Sequence, residues 1–191
     1  DGISKLSDNR WGFFPGISAG WNVHEEAFFK DSKFAEVVSL IKPRISYGLN
    51  GNVNGIGNFD VYGKYGSVGA YNGNLGYLNT GVVNSKLRWE KSHTFELGLD
   101  LGFFNNRVHM IMDYYNRTTS DLLTDVNLPE YTGFPSFKTN LGTISNRGFE
   151  LEAKVNLLTK KDWSWDVTAN TSFVKNMVKK LPFNGNANNR Q

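Results

Sequence analysis

The 191-residue sequence contains no cysteine, which removes disulfide bonds, thiol nucleophiles and thiolate metal sites together. No apolar run reaches the roughly 18 residues that a transmembrane helix needs. The alternating strands of a membrane β-barrel would escape that test. Net charge is only +3 and no basic run concentrates it, so nothing points to nucleic acid as a partner. The three histidines, His24, His93 and His109, are scattered and fit neither an HxH nor an HExxH arrangement. Neither GxGxxG nor GxxxxGK[ST] occurs, and the glycines at 51, 55 and 57 build no nucleotide loop. The chain opens on Asp1 with neither Met nor signal peptide, as expected of a mature piece or a fragment.

What the chain does have is alternation. Aromatics make up 14% of it and glycines number 20, a composition suited to many strands and turns. From Thr94 to Asn116, Phe95, Leu97, Leu99, Leu101 and Phe103 alternate with Glu96, Gly98, Asp100 and Gly102. After Asn105-Asn106 the alternation resumes with Val108, Met110, Met112 and Tyr114 against Arg107, His109, Asp113 and Tyr115, and Ile111 alone breaks it. A period of two predicts strands. A two-residue Asn-Asn turn of type I′ would pair Phe104 with Arg107, Phe103 with Val108, Leu101 with Met110, Leu99 with Met112 and Leu97 with Tyr114. One face is then apolar along both strands, and a slip of one residue would set leucines opposite charges.

Elsewhere the same reading predicts a strand over 10–23, with Trp11, Phe13, Ile17, Ala19 and Trp21 on one face. A helical turn or two follows between 24 and 41, opened by Asn22 as N-cap with Glu25 as the acidic third residue. A second strand covers 42–50, after Pro43 has stopped the helix. Residues 147–158 and 163–175 form a further hairpin. A five-residue loop from Leu158 to Asp162 would pair Leu157 with Trp163, Val155 with Trp165 and Lys154 with Asp166. Residues 50–91 are rich in Gly, Asn and Tyr and are expected to be loop, with a strand at most from Phe59 to Tyr71. The stretch 117–140 and the Asn-rich tail beyond Pro182 are likewise expected to be loop.

Six strands in three hairpins result, with mostly short connections within hairpins and long ones between them. Short periplasmic turns and long outer loops are the pattern of a bacterial outer-membrane barrel, and each strand is long enough for the roughly 9 to 11 tilted residues that cross the bilayer. Leu97, Leu99, Leu101, Val108, Met110 and Met112 would face lipid. Trp21, Phe103, Trp163 and Trp165 beside the short turns would lie at one interface, with Trp11, Tyr114, Tyr115 and Phe173 toward the other. Aromatic packing inside a soluble β-sandwich would also account for those positions.

The order of motifs resembles the SusC/RagA family of TonB-linked outer-membrane transporters of Bacteroidetes. The resemblance rests on Arg10-Trp11-Gly12-Phe13-Phe14-Pro15, Ser18-Ala19-Gly20-Trp21, Arg44-Ile45-Ser46-Tyr47-Gly48-Leu49-Asn50 and Leu87-Arg88-Trp89-Glu90-Lys91. It continues through Gly98-Leu99-Asp100-Leu101-Gly102-Phe103-Phe104-Asn105-Asn106-Arg107, Asp113-Tyr114-Tyr115, Asp121-Leu122-Leu123 and Asn146-Arg147-Gly148-Phe149-Glu150. Pro43 stands where the family usually has Leu, tolerable at a strand start, and Ser85 where it often has Pro.

The resemblance implies an all-β, antiparallel transmembrane β-barrel segment of about six strands from a larger barrel of about 22. Residues 1–191 would then be part of the C-terminal half of that barrel, with the plug domain and TonB box absent from this chain. It implies uptake of oligosaccharides or peptides, a SusD-like surface lipoprotein as partner, TonB acting through the plug, outer-membrane lipid around the wall, and no cofactor. A soluble β-sandwich carbohydrate-binding module and a passive porin are the alternatives.

No catalytic constellation is expected. His109 falls on the less apolar face and reads as a solvated lumen residue rather than a metal ligand. Glu150 and Glu152 share a face as an acid/base pair would, but nothing apolar is there to separate their pKa values and Lys154 is close by, so a polar lumen wall is the better reading. The sequons at Asn116 and Asn170 read as chance. Tyr62, Tyr65, Tyr71 and Tyr77, in the loop from Asn58 to Leu78, are candidates for ligand or partner contacts, each with a flat ring and a hydroxyl handle.

Overall fold

In the computed structural model, which describes residues 8–57, 60, 62–63 and 65–181, one continuous antiparallel sheet carries the chain. Its strands are β1 (Gly16–Gly20), β2 (Val38–Asn52), β5 (Glu90–Phe103), β6 (Val108–Ser120), β9 (Thr143–Lys160) and β10 (Trp163–Lys180). They lie side by side in chain order, β1-β2-β5-β6-β9-β10, each paired antiparallel with the next. Two small hairpins, β3 (Tyr65–Tyr71) with β4 (Asn74–Asn79) and β7 (Leu123–Asn127) with β8 (Ser136–Asn140), occupy the connections between the large ones. The six predicted strands and their three-hairpin order are therefore present.

The central hairpin has the predicted register, with Phe103 opposite Val108, Leu101 opposite Met110, Leu99 opposite Met112 and Leu97 opposite Tyr114. Its turn is less simple than a two-residue I′ loop. Phe104, Asn105 and Asn106 all have positive φ (53°, 56° and 61°), and the Arg107 amide donates to the Phe104 carbonyl at 3.3 Å. Phe104 leaves the hairpin ladder and donates its own amide to the Val37 carbonyl at 2.7 Å, so the turn leans on the neighbouring connection. Ser39 braces it further: its hydroxyl accepts from the Asn106 amide and donates to the Asn106 side-chain oxygen, both at 2.9 Å.

The strand expected over 10–23 is shortened to Gly16–Gly20. At its start Pro15 has no N–H to donate, though its carbonyl accepts from Leu49 at 2.9 Å. At its end Trp21 donates to the Pro43 carbonyl at 3.0 Å, and Pro43 cannot return the bond. Pro43 is thus not at a strand start, as expected, but inside β2, with its missing donor turned toward the point where β1 stops pairing.

The helical expectation for 24–41 holds only for its first part. Two 3₁₀ turns, Val23–Glu25 and Lys33–Glu36, flank a single α-turn, α1 (Ala27–Lys30), and β2 takes over from Val38. Asn22 occupies the N-cap position but makes no side-chain cap bond, its ψ of 75° lying outside the extended geometry that capping uses. Other contacts hold the segment: Trp21 Nε1 donates to Glu26 at 2.9 Å, Lys30 bonds Glu25 at 2.7 Å, and Phe29 is buried.

The last hairpin departs from the predicted register. Trp163 lies opposite Lys160, Trp165 opposite Leu158 and Asp166 opposite Asn156, leaving Leu157 as the extra residue of a β-bulge. The turn is therefore Lys161-Asp162, and Lys154 faces Thr168 rather than Asp166. Asp166 instead accepts from the Asn156 side chain at 2.7 Å. The loop expectations for 50–91 and 117–140 are corrected by the two small hairpins and by the extension of β6 to Ser120. Asn72 and Gly73, with φ of 48° and 77°, make the turn between β3 and β4. Phe59, Asn58 and the tail from Pro182 lie outside the described residues.

No second sheet packs on the six-stranded one among the described residues; of the few buried side chains, Leu87, Asn84, Thr94, Asn140 and Ser145 gather at one end of it and Phe29 lies in the 21–37 connection at the other. A sandwich needs two facing sheets with a shared apolar layer. Here both faces of the one sheet are open.

Candidate functional site

Register sorts the two faces. On one face, successive rows across the sheet read Val38, Phe103, Val108, Val155, Val167; then Ile41, Leu101, Met110, Ala153, Ala169; then Pro43, Leu99, Met112, Leu151, Thr171; then Ile45, Leu97, Tyr114, Phe149, Phe173. From Phe103 to Leu97, at about 3.3 Å per residue along a strand tilted by about 40°, these four rows rise about 15 Å, the larger part of the roughly 25 Å apolar belt of an outer-membrane barrel. Trp163 and Trp165 extend β10 on this face beyond Val167, and Trp21 extends β1 at the same end. All six residues expected to face lipid lie within the band.

The opposite face is charged. Arg44 on β2 donates through Nε and Nη2 to Asp100 of β5 at 3.1 and 2.8 Å, and through Nη2 to Asp113 of β6 at 3.0 Å. Gly98 lies between Arg44 and Asp113 in the register, and a Cβ there would come within 2.6 Å of the Asp113 carboxylate and 2.7 Å of the guanidinium carbon. Its missing side chain is what lets the ion pair span three strands. Ser46 donates to Glu96 at 3.1 Å on the same face. Glu150 and Glu152 line a shallow depression with Ile111, Asp113, Asn170 and Ser172. Among the described residues no group of three His, Asp or Glu side chains is arranged to hold a metal.

The two ends differ. One carries the turns at 104–107 and 161–162 together with the compact 21–37 connection. At the other, the two long connections are clamped together. Asn140, buried, accepts from the Arg88 amide at 2.8 Å and donates to the carbonyls of Arg88 and Asp121 at 2.7 and 2.8 Å. Arg88 Nη2 meets Asp121 at 2.7 Å, while Glu90 accepts from the Leu123 amide at 2.9 Å and from Asn52 at 2.7 Å. Asn84 donates to the Lys138 carbonyl at 2.8 Å, and Lys138 reaches the Gly55 carbonyl at 2.6 Å and Asp60 at 3.1 Å. Leu87, 1% exposed, is the apolar centre of this knot. The hydrogen bond from Arg88 is the main reason the Asp121 carboxyl is held below its ordinary value, and the same bond raises Arg88.

Motifs singled out in the sequence only for their order therefore meet in space. Leu87-Arg88-Trp89-Glu90 and Asp121-Leu122-Leu123 build the clamp. The Arg10–Pro15 motif joins them, since Trp89 Nε1 donates to the Arg10 carbonyl at 3.3 Å and Phe14 packs on Trp89 with ring centroids 5.5 Å apart.

A family profile described as TonB dependent receptor-like, beta-barrel matches residues 1–190. The chain belongs to this family. It is 38% identical over 186 residues to TonB-dependent receptor P3 of Formosa agariphila and 36% identical over 190 residues to TonB-dependent receptor SusC of Bacteroides thetaiotaomicron. Each alignment covers 95% of this chain and 18% of the relative, so the chain spans under a fifth of those receptors. The RagAB peptide importer in its closed-closed state superposes with a TM-score of 0.83 at 31% identity, over 93% of this chain and 19% of that one.

As a piece of a TonB-dependent receptor barrel, the sheet belongs to the outer membrane, and barrels of that membrane carry long connections on the extracellular side and short turns on the periplasmic side. The four candidate tyrosines are not gathered into one surface. Tyr65 and Tyr77 share a face of the β3–β4 hairpin with Leu75, whereas Tyr71, 88% exposed, lies on the other face with Leu78. Tyr62 precedes the hairpin and is also exposed. The clamp residues Asn84 and Asn140 escaped the sequence reading. Their only signal was their place beside recognised motifs, and their bonds reach 52 and 54 positions along the chain.

Proposed function

We propose that this chain is a wall and outer-loop segment of a TonB-dependent outer-membrane transporter that imports oligosaccharides or peptides. One observation carries the reading: a single uncovered sheet, apolar on one face and charged on the other, with clamped loops at one end only. The apolar face, with Leu97, Leu99, Leu101, Val108, Met110 and Met112, meets lipid, and Trp21, Phe103, Trp163 and Trp165 sit at the periplasmic interface. The charged face with Arg44, Asp100 and Asp113 lines a wet lumen around a plug supplied by the rest of the protein.

The β3–β4 hairpin, raised on the clamp, presents Tyr65, Tyr71, Tyr77 and the nearby Tyr62 to cargo or to a SusD-like lipoprotein closing the barrel from outside. The segment performs no covalent chemistry; the energy for uptake comes through TonB. The likeness to the RagAB peptide importer supports the peptide class, and the oligosaccharide class rests on the SusC/RagA resemblance of the motifs.

The test uses the full-length transporter. Leu99→Lys should impair assembly into bilayers by about 2 to 4 kcal/mol, the cost of a cation on the lipid face near the midplane. Asn170→Lys, on the charged face beside Glu150 and Glu152, should be nearly neutral. Equal tolerance of the two substitutions would overturn the assignment of the faces, and uptake that persists without TonB would overturn the assignment of the mechanism.

A further inference from the structure

We infer that the outward face of the sheet, just above its apolar band, is a binding site for the phosphorylated headgroup of an outer-leaflet glycolipid. The inference rests on the proposed reading of that face as lipid-exposed.

Three rows follow the aromatic row of Tyr114, Phe149 and Phe173 toward the extracellular end. The first is Tyr47, Phe95, Asn116, Arg147, Lys175; the second Leu49, His93, Thr118, Ser145, Met177; the third Gly51, Lys91, Ser120, Thr143, Lys180. They hold five basic side chains and no carboxylate. The composition changes abruptly there, from four rows without a charge to a patch with charge of one sign.

Arg147 and Lys175 are the centre of the patch. They are direct cross-strand partners and both are exposed. Like charges directly opposite one another destabilise a sheet, with Cβ atoms only about 4.5 to 5.5 Å apart. Neither has an ion-pair partner among the described residues, and Arg147 is flanked on both sides by strands of this sheet, so its nearest neighbours on that face are all in place: Asn116, Ser145, Phe149 and Lys175. Asp121, an acid at the rim, is taken by Arg88 and feels Lys91 and Lys180 rather than this pair. An anion between the two cations would relieve the repulsion.

What supplies the anion follows from the surroundings. Immediately below lie Phe149 and Phe173, continuous with the apolar band, so the site offers acyl chains a wall and a phosphate two cations in one stroke. A phosphorylated lipid fits both parts, and free phosphate fits only the upper one. Polar neighbours Asn116, exposed, and Thr118, half-buried, can bond the sugar hydroxyls of a glycolipid headgroup. The basic rows stand on the extracellular side, where the outer leaflet carries phosphorylated glucosamine lipid (lipid A).

The experiment takes the full-length transporter in nanodiscs of phosphatidylethanolamine doped with bisphosphorylated lipid A, with dephosphorylated lipid A, or with neither, and counts retained lipid by native mass spectrometry. Wild type should retain the phosphorylated form selectively. R147Q/K175Q should bind it roughly 10- to 30-fold more weakly, as expected for two cations each contributing at a lipid surface. Lys154→Gln, on the opposite face, should change nothing.

Equal retention of phosphorylated and dephosphorylated lipid, or an unchanged double variant, overturns the site. Full displacement of lipid A by millimolar inorganic phosphate would show a free-phosphate site and overturn the lipid assignment. If Leu99→Lys assembles normally, the lipid-facing reading itself fails; if only the lipid A measurements fail, that reading stands and this site does not.

Discussion

Arg44 reaches across an entire strand to Asp113, passing over Gly98 to make a 3.0 Å bond between β2 and β6. Three strands are thereby tied on the charged face by one side chain, which also holds Asp100 of the strand it crosses. With no layer packed on that face among the described residues, such cross-strand ties take the part in holding strand spacing that apolar packing takes in a soluble domain.

Gly98→Ala should break the tie. The new Cβ would lie 2.6 Å from Asp113 and 2.7 Å from the Arg44 guanidinium, and the displaced groups must give way. A cost of about 1 to 3 kcal/mol is expected for such overpacking, measured by denaturant unfolding of the full-length barrel in detergent. The sharper readout is a double-mutant cycle on Arg44→Met and Asp113→Asn. Coupling of a few tenths to about 1 kcal/mol, the range for partly exposed ion pairs, should be present in wild type and vanish in the Gly98→Ala background.

The clamp at the extracellular end should be governed by Asn140. Its amide serves three backbone groups from a buried position, and Asn140→Ala leaves the Arg88 amide and two carbonyls without that partner. A loss of about 1 to 3 kcal/mol is expected, confined to the junction of the two connections. Hydrogen exchange should show faster exchange at Arg88 and Leu123 with little change in β5 and β6. Asn140→Asp should do almost as much harm, because a carboxylate cannot donate to the two carbonyls.

Acid should open the same junction late. Asp121 is held below the ordinary carboxyl value of 3.8, first by the hydrogen bond from Arg88. A lowered folded pKa means that the contribution is complete above about pH 4 and is lost only as pH falls through the still lower folded value. Pepsin cleavage within 121–142 should therefore stay slow at pH 4 and rise at lower pH. In Asp121→Asn, cleavage should already be fast at pH 4 and show a flatter pH profile. A wild-type transition above pH 4.5 would contradict the pairing.

How far such features could be read from the sequence depended on what enforces them. The β5–β6 register was legible because alternation on both sides and a short Asn-Asn turn demand the same pairing. The β9–β10 register was not, because most of the ladder sits two residues from the expected one, a shift that keeps every side chain on its face and so leaves the alternation unchanged, and the bulge at Leu157 then closes it on the two-residue Lys161-Asp162 turn. Asn72-Gly73 is a strong hairpin signal that the reading passed over, since the glycines at 66, 69 and 76 erase alternation in the flanking strands. The clamp was illegible for a different reason. It is made of side-chain bonds to backbone groups from distant loops, and such bonds leave no periodicity.

The β3–β4 hairpin provides the last prediction, because its two faces separate candidates that the sequence had grouped. Tyr65, Tyr77 and Leu75 form one face with about one aromatic pair's worth of apolar surface, while Tyr71 stands on the other near the turn. A protein partner covering the hairpin needs a contiguous patch, and aromatic anchors at the centre of such a patch carry most of its binding energy. If the proposed SusD-like lipoprotein docks on this face, Tyr77→Ser in the full-length transporter should weaken its capture by about 2 kcal/mol or more, measured by co-purification over a range of lipoprotein concentrations. Tyr71→Ser should leave capture within a few tenths of a kcal/mol of wild type, as an exposed side chain outside the patch would. The reverse ranking would place the lipoprotein on the Tyr71 face and leave Tyr65 and Tyr77 to the cargo.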